Sequence, residues 1–317
     1  MMRKFTWLFT WVLLLYPQTG YSNTPIFTRP ITLVVPFAPG GTTDLTARVL
    51  AQELSTRLPQ PVRVENRPGA FAIVGTRHVL SQPADGHTWL IAANGITAHT
   101  HFSTSPNAQV FTHITPITLL VENAMALMVS NHVPVSSGEQ LLAQIRAQPG
   151  VFNYATIGGG GVVSMAAHMF LNTTQTQMQA VPYTGGAPAM TDLQAGRIHI
   201  MFDSTIVGLR NDRSGTARAL AVTGESRHPQ APHVPTLQEL GVPMTMMTWQ
   251  GIFVHDQTDL SLQHEINRTI TSVINNPQVR ARFLELGADT VLGTSVEQSR
   301  TRVQQEILMW NQVFNPG

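Results

Sequence analysis

The chain has 317 residues, a formal net charge of +1 and 12% charged side chains, and it contains no cysteine. A nearly neutral chain without a basic run is a poor partner for nucleic acid, and the lack of cysteine excludes disulfides and thiolate chemistry. The length suggests about two domains, each large enough to bury a core.

The first 22 residues have the pattern of a secretory signal peptide. Arg3 and Lys4 precede an apolar run from Phe5 to Tyr16, and the small residue Ser22 offers a cleavage site. The run is shorter than the ~20 apolar residues that a membrane span requires. We therefore expect residues 1–22 to be removed during export, which leaves a soluble protein; a retained N-terminal anchor is the alternative.

Strands and helices alternate through most of the remaining sequence, which is typical of an α/β fold with parallel sheets. The predicted strands are 31–35, 62–64, 88–92, 153–155, 198–202, 219–223 and 249–254. Two apolar runs, 117–121 and 125–129, are separated by polar residues, and there we expect the chain to pass into a second domain. An amphipathic helix is predicted from Ala47 to Leu58, and a capping box at Ser136 opens another that ends at Ala147. The other predicted helices are 73–80, 163–171, 187–195, 236–240, 260–274, 277–286 and 295–310.

The turn between the first strand and the first helix, Pro36 to Arg48, has the composition of an anion site. Gly40 and Gly41 allow a sharp turn because they carry no Cβ, and Thr42 or Thr43 can cap the helix. Free N–H groups at the positive end of a helix dipole suit an anion. A plain β–α connection is the alternative interpretation of this turn alone.

Two later turns repeat the same design of a strand end, glycines and a helix start. They are the run Gly158, Gly159, Gly160 and Gly161, and the pair Gly185 and Gly186. In open α/β sheets, ligands bind outside the carboxyl ends of the strands, where such loops converge. Three turns of this kind in one chain favour a small anionic ligand.

Several short motifs follow one another along the chain. They are Pro30 to Gly41 with Asp44 and Arg48, Val64 to Ala70, Asp85 to Thr88, Asn153 to Ala155 with the following glycines and His168, Val181 to Ala189, Arg218 to Thr223, and Val234 to Thr236. Together they resemble the Bug family of extracytoplasmic solute-binding proteins, the receptors of tripartite tricarboxylate transporters. The resemblance covers essentially the whole chain after residue 22.

The resemblance implies a two-domain periplasmic-binding-protein fold, type II-like, with the ligand in the cleft between the domains. Each domain is expected to be a mostly parallel sheet flanked by helices, with 23–124 and 229–317 in domain one and 125–228 in domain two. It further implies a monomeric periplasmic receptor for a small organic carboxylate, without cofactor, metal or catalysis. The implied partners are the membrane permease subunits of a tripartite transporter; a sensor kinase is the alternative.

In this family, the first loop and two later glycine loops hold a ligand carboxylate, partly through backbone amides and ordered water. The residues that we therefore expect at the ligand are Ala38, Pro39, Gly40, Gly41, Thr42, Asp44, Gly158, Gly159, Gly160, Gly161, Ser164, His168, Tyr183, Thr184, Gly185, Gly186 and Asp203. The sequence departs from the family pattern at Phe71 and Ala72, where further glycine is usual, and at Val162 and Val163. These departures bear on ligand identity more than on fold.

Two enzyme-like patterns compete with the receptor interpretation. Ser164 and His168 lie four residues apart on a predicted helix, so their side chains could meet in a secreted hydrolase, with Asp203 as a third member. The chain has no Gly-x-Ser-x-Gly elbow, however, and a histidine on an apolar helix is more often structural. His99 and His101 give only a weak metal pattern, because no acidic residue or cysteine nearby completes a set.

Asp203 is the most informative acidic residue, because it stands at the end of a predicted strand and should face the cleft. One interpretation is a structural N-cap for the segment that starts at Ser204. The other is a functional group that orders a water molecule or pairs with an amine or hydroxyl of the ligand. The sequence leaves both open.

Overall fold

The computed structural model describes residues 26–102, 106–157 and 161–314, so the predicted signal peptide and Gly158, Gly159 and Gly160 lie outside the described residues. The strands are β1 (Ile31–Val35), β2 (Val62–Asn66), β3 (Thr88–Ala93), β4 (Ile114–Val129), β5 (Asn153–Ile157), β6 (Gln179–Tyr183), β7 (Ile200–Ser204), β8 (Arg218–Val222), β9 (Met247–His255) and β10 (Thr290–Val291). The helices are α1 (Thr42–Ser55), α2 (Ile73–Leu80), α3 (Gly95–Phe102), α4 (Gly138–Ala147), α5 (Val162–Thr174), α6 (Gly186–Gln194), α7 (Thr205–Arg213), α8 (Leu260–Ile274), α9 (Pro277–Leu286) and α10 (Val296–Phe314).

Strand β4 belongs to two sheets and joins the two halves of the molecule. Its first part, from Ile114 to Ala124, pairs with β9, and its second part, from Met125 to Val129, pairs with β7. The order across both sheets is β2-β1-β3-β9-β4-β7-β5-β6, with β8 and β10 also on β4. The outer groups β2-β1-β3 and β7-β5-β6 are parallel, whereas β4 and β9 pair antiparallel to their neighbours. The predicted α/β class is confirmed.

Separate hydrophobic cores form around the two sheets. Side chains of β1, β3 and α8 fill the cores of the first sheet, and side chains of β5, β7 and α5 fill the core of the second. Residues Ala231 to Met246 also pack in the second core. The division of the chain into domains stays a prediction, and this packing favours a return to the first domain near Met247 rather than at residue 229.

The C-terminal helix α10 is anchored to the first sheet through a buried carboxylate. Glu306 accepts a hydrogen bond from Asn94 Nδ2 (2.8 Å) and another from Trp249 Nε1 (2.5 Å). Burial raises the pKa of Glu306, although these two donors act in the opposite direction. The helix thereby ties the end of the chain to β3 and β9. Among the described residues, no helix combines the length and the apolar character needed to cross a membrane.

A second connection between the halves runs beside β4 and is fixed by a threonine. Thr223 is fully buried at the end of β8; its N–H donates to Met125 O (2.8 Å), and its carbonyl accepts from Met246 N (2.9 Å). Its hydroxyl donates to Met246 O (2.5 Å) and accepts from Met125 N (2.8 Å). The side chain therefore bridges the two segments that pass between the sheets.

We expect Thr223→Val to lower the free energy of unfolding by about 2 kcal/mol. The isosteric valine keeps the packing but leaves a buried N–H and a buried carbonyl without the hydroxyl, and each such loss costs about 1–3 kcal/mol. Urea titration measures the change. Thr56→Val is the control, since the hydroxyl of Thr56 donates to Glu53 O at an exposed position and its loss should change stability by less than about 0.5 kcal/mol. Equal effects of the two variants would contradict this role.

Candidate ligand-binding site

A cavity of about 90 Å³ lies where the carboxyl ends of β1, β3, β5 and β7 meet. This is the place at which open α/β sheets bind ligands. Both sheets contribute to the wall, so the cavity lies between the two halves of the molecule. The described residues that line it are Phe37, Gly41, Thr42, Thr43, Phe71, Ala93, Gly95, Ile96, Met125, Ile157, Gly161, Val162, Val163, Gly186, Asp203, Ser204, Thr248 and Gln250.

Three helices begin at this cavity without a side-chain cap. Gly41 is the N-cap of α1, Gly161 that of α5 and Gly185 that of α6, and none of them can cap through a side chain. The first N–H groups of a helix have no partner within the helix, and the helix dipole adds partial positive charge there. Residues at all three helix starts line the cavity. The arrangement therefore offers backbone donors and a positive potential to an anion.

No lysine or arginine is among the described residues that line the cavity, and Asp203 is their only titratable member. An anion bound here would therefore depend on N–H groups and hydroxyls rather than on a paired cation. Such donors can contribute about 1.5–3 kcal/mol per hydrogen bond to a charged group.

Asp203 is buried in the wall of the cavity, with 6% of its surface exposed. Its Oδ1 accepts from Thr42 Oγ1 (3.1 Å) and from Ser204 N (2.8 Å), whereas its Oδ2 has no partner among the described residues. Burial raises the pKa of Asp203 to about 6, even though both donors favour the ionised form. The N-cap of α7 is Ser204, whose hydroxyl accepts from Ile206 N (3.3 Å). Asp203 is therefore not that N-cap.

Asp44 holds the first glycine loop in place and is not among the lining residues of the cavity. Its buried carboxylate accepts from Gly40 N (2.9 Å), Asn66 Nδ2 (2.9 Å), and Arg48 Nε (2.8 Å) and Nη2 (3.0 Å). Burial alone would raise the pKa of Asp44, but Arg48 and the other donors outweigh it and lower the pKa. Gly40 has φ of +86°, a conformation that glycine adopts without strain.

The first and third glycine loops touch each other. Ala38 Cβ lies 3.5 Å from the position that a Cβ on Gly185 would occupy, so a glycine allows the close approach. Of the predicted residues in these two loops, Gly41, Thr42 and Gly186 line the cavity. Ala38, Pro39, Gly40, Asp44, Thr184 and Gly185 belong to the loops but are not part of the lining.

The predicted pair Ser164 and His168 does not meet at the cavity. Ser164 is 1% exposed, and its hydroxyl accepts from Ile157 N (3.1 Å), which fixes the start of α5 against β5. His168 is exposed, with its ring edge-on to Tyr154 at 6.3 Å, and it lines a different cavity of about 760 Å³ beside α10. Neither residue is among the lining residues of the cavity between the sheets.

Tyr183 also serves a local contact. Its hydroxyl donates to Asp192 Oδ2 (2.7 Å) on α6, and burial together with Asp192 raises the pKa of Tyr183 to about 12. Within the described part of the chain, no group of three or more histidine, aspartate or glutamate side chains is placed to hold a metal ion.

Sequence reasoning missed a polar pair on β9. Thr248 and Gln250 are buried, line the cavity and stand two residues apart, so they share one face of the strand. Gln250 Oε1 has no partner among the described residues. Two polar residues at i and i+2 in an apolar strand were the available signal, but only the pairing of β9 with β3 and β4 brings them to the cavity.

Phe71, which departs from the family pattern, forms part of the cavity wall. Ala70, Phe71 and Ala72 have φ of +43°, +53° and +66°, a left-handed conformation that costs roughly 1–2 kcal/mol for each non-glycine residue. The ring of Phe71 lies 2.6 Å from the position that a Cβ on Gly161 would occupy. The segment thus fills the space that Gly161 leaves open and sets the size of the cavity.

Comparisons with known proteins agree with this geometry. Residues 46–315 match the family model described as the tripartite tricarboxylate transporter family receptor. The chain is 32% identical over 285 residues to the protein BugT of Bordetella pertussis, covering 89% of this chain and 87% of BugT. It is 35% identical over 267 residues to a UPF0065 protein in the tcbD-tcbE intergenic region of Pseudomonas sp. strain P51, covering 84% and 80%.

Solved structures of similar proteins share the fold. The periplasmic binding protein BugD superposes with a TM-score of 0.85 at 28% identity, covering 90% of this chain and 97% of BugD. The structure of R. palustris Rpa4515 with adipate superposes with a TM-score of 0.86 at 31% identity, covering 90% of this chain and 96% of Rpa4515. The structure of MatC from Rhodopseudomonas palustris with bound malate superposes with a TM-score of 0.81 at 27% identity, covering 91% of this chain and 99% of MatC. These likenesses confirm the predicted periplasmic-binding-protein fold, and with the family match they show that the chain belongs to the tripartite tricarboxylate transporter receptor family.

Proposed function

We propose that this protein is an exported receptor that captures a small carboxylate-bearing metabolite in the periplasm and presents it to the permease subunits of a tripartite tricarboxylate-type transporter. The observation that carries the proposal is the convergence of α1, α5 and α6, each without a side-chain cap, on one cavity between the sheets. Free N–H groups at helix starts are suited to a carboxylate.

The ligands of two similar structures support the chemical class. The protein Rpa4515 was solved with adipate, and MatC with malate. Both ligands are small dicarboxylates. We propose that this chain also binds a carboxylate, through the predicted loop residues around Gly41, Gly161 and Gly186. We further propose that it does so as a monomer, without a cofactor or metal.

Catalysis is not part of the proposal. Ser164 gives the hydrolase alternative little support, because its hydroxyl is buried against the backbone of Ile157. His168 lies at the surface beside a different cavity. We propose instead that binding is followed by closure of the two halves around the segments that cross between them, near Met125 and Thr223.

We expect calorimetric titration with a panel of mono-, di- and tricarboxylates to find at least one ligand that binds with one-to-one stoichiometry. X-ray scattering should show a more compact particle when that ligand is bound, because the halves close over it. The dimethyl ester of the same acid is the control, since it cannot present a carboxylate to the helix starts, and it should not bind.

Two results would contradict the proposal. Absence of binding across the panel, with unchanged scattering profiles, would count against a carboxylate receptor that closes. Hydrolysis of the ester by the parent protein, lost in Ser164→Ala, would favour the hydrolase.

A further inference from the structure

We propose that the cavity selects carboxylates that also carry a hydrogen-bond donor, an ammonium group above all, and that Asp203 is the residue that recognises this donor. The inference rests on the proposed function and narrows it, because it assigns a second polar group to the ligand. It makes Asp203 a specificity-determining residue of the site.

The two carboxylate oxygens of Asp203 differ in their hydrogen-bond partners. Oδ1 already accepts from Thr42 Oγ1 and Ser204 N, whereas Oδ2 accepts from no described residue although the side chain is 94% buried. A buried acceptor without a donor is costly, so a ligand that supplies a donor gains affinity. Oδ2 is therefore the atom to which the ligand is expected to donate.

Asp203 Oδ2 is accessible from the side of α6. A Cβ placed on Gly186 would lie 2.9 Å from Asp203 Oδ2. The glycine at the start of α6 therefore leaves open the space directly beside the unpartnered oxygen. Gly186 and Asp203 both line the cavity, so a ligand there can reach Oδ2.

The cavity presents positive potential at the helix starts and a negative charge at Asp203. The starts of α1, α5 and α6 favour a negative group, and Asp203 is the one charged side chain among the described lining residues. A ligand with a carboxylate and an ammonium group satisfies both ends of this arrangement. A second carboxylate in place of the ammonium would find no cation, and beside Asp203 it would meet a like charge.

Gln250 adds a second group that can accept from the ligand, since its Oε1 has no partner among the described residues. A carboxamide can present its NH₂ instead after rotation, so it adapts to either ligand chemistry. Thr248 contributes less, because its hydroxyl donates to Asn94 Oδ1 (2.7 Å). The selection of a donor therefore depends on Asp203.

The pH dependence follows from the surroundings of Asp203. The described lining residues around it on α1, β4, β5 and α6 are Thr42, Met125, Ile157 and Gly186, and the next residue on β7 is Ser204; all are uncharged. Burial raises the pKa of Asp203 to about 6. An ammonium group needs the ionised carboxylate, so affinity for an amino acid should fall as the pH drops below about 6. A neutral Asp203 that donates to a ligand carboxylate would give the opposite slope.

The test uses three matched pairs of probes that differ by one amino group: aspartate and succinate, glutamate and glutarate, 2-aminoadipate and adipate. Titration calorimetry measures each pair against the parent, Asp203→Asn, Gly186→Ala and the surface control Asp256→Asn. Of the three amino acids, we expect the one that binds the parent most tightly to bind at least tenfold more tightly than the dicarboxylate that lacks its amino group. Asp203→Asn should lower the affinity for that amino acid by roughly tenfold to a hundredfold, because a charge-assisted hydrogen bond is lost. It should not weaken the plain dicarboxylate.

Gly186→Ala should reduce the same preference by blocking Oδ2, and Asp256→Asn should leave every affinity unchanged. The inference is wrong if the plain acids bind as tightly as the amino acids and Asp203→Asn raises or preserves all affinities; the proposed function then stands. If no carboxylate of any kind binds, the proposed function fails and this inference fails with it. Circular dichroism of each variant confirms that the fold is kept.

Discussion

Gly161→Ala is expected to weaken ligand binding by roughly a hundredfold or more. The backbone of Gly161 has φ of −68°, which alanine can adopt, so the effect arises from space alone. The new Cβ would lie 2.5 Å from Ile157 O and 2.6 Å from the ring of Phe71. The contact with the backbone oxygen of Ile157 forces the start of α5 to shift, and the ring of Phe71 must also give way. Both form part of the cavity wall. Loss of one or two hydrogen bonds to a charged ligand group, at about 1.5–3 kcal/mol each, accounts for a factor of this size.

Calorimetry with the strongest ligand of the panel measures this loss, and thermal unfolding measures the accompanying loss of stability, about 1–3 kcal/mol for overpacking. Gly215→Ala is the matched control. Gly215 has φ of +67° and nothing within 4 Å of an added Cβ, so alanine strains the backbone far from the cavity. The control should lose about 1 kcal/mol of stability and keep its affinity. Unchanged binding by Gly161→Ala would show that α5 does not hold the ligand.

Asp44→Ala is expected to lower the free energy of unfolding at neutral pH by about 2 kcal/mol, the range of hydrogen bonds to a charged group. The change removes the acceptor for Gly40 N, Asn66 Nδ2 and the guanidinium of Arg48. Arg48 remains half exposed and can be solvated. The partly buried N–H of Gly40 loses its acceptor, whereas Asn66 Nδ2 keeps its hydrogen bond to Phe37 O (3.1 Å). Because Gly40 belongs to the first glycine loop, affinity for the ligand should fall as well.

The pH dependence gives this prediction a second measurement. The pKa of Asp44 is lower in the folded protein than its unfolded value of 3.8. Its stabilisation is therefore complete above 3.8 and is lost as the pH falls through the folded-state value. The difference in unfolding free energy between parent and variant should shrink in that acidic range. Arg29→Ala is the control, because its ion pair with Asp85 is exposed and contributes at most about 1 kcal/mol. Equal costs for both variants would contradict the role of Asp44.

The parts of the site that depend on short sequence distances were predictable. Turns such as Gly40-Gly41 and Gly185-Gly186 mark strand-to-helix connections by their own composition, and they occur where the sequence placed them. Asp203 was identified by its position at the end of a strand. Gln250 was not, because only long-range pairing of β9 brings it to the cavity. Spacing also placed Ser164 near His168 but could not show that Ser164 is buried.

Strand β4 shows why boundaries were harder to predict. The apolar runs on either side of Glu122 and Asn123 were expected to mark the passage into a second domain, but one strand continues through both residues. Glu122 pairs with Arg302 (2.9 Å), and Asn123 donates to Gly287 O (3.1 Å), so tertiary partners satisfy the polar groups. Strand β6 was missed because its residues are mostly exposed at the sheet edge and lack an apolar pattern. Helices α3 and α7 were missed as well.

The late position of β9 and α10 in the chain has a consequence for the time course of folding. The contact between Thr248 and Asn94 spans 154 positions, and that between Glu306 and Asn94 spans 212. Contacts so distant in sequence form only after long loops have closed, and this closure costs entropy before the contacts stabilise the fold. Such a topology therefore folds slowly. The first sheet is therefore a product of the complete chain and not of its N-terminal third. In the export that we propose, this delay would keep the chain unfolded while it passes through the membrane.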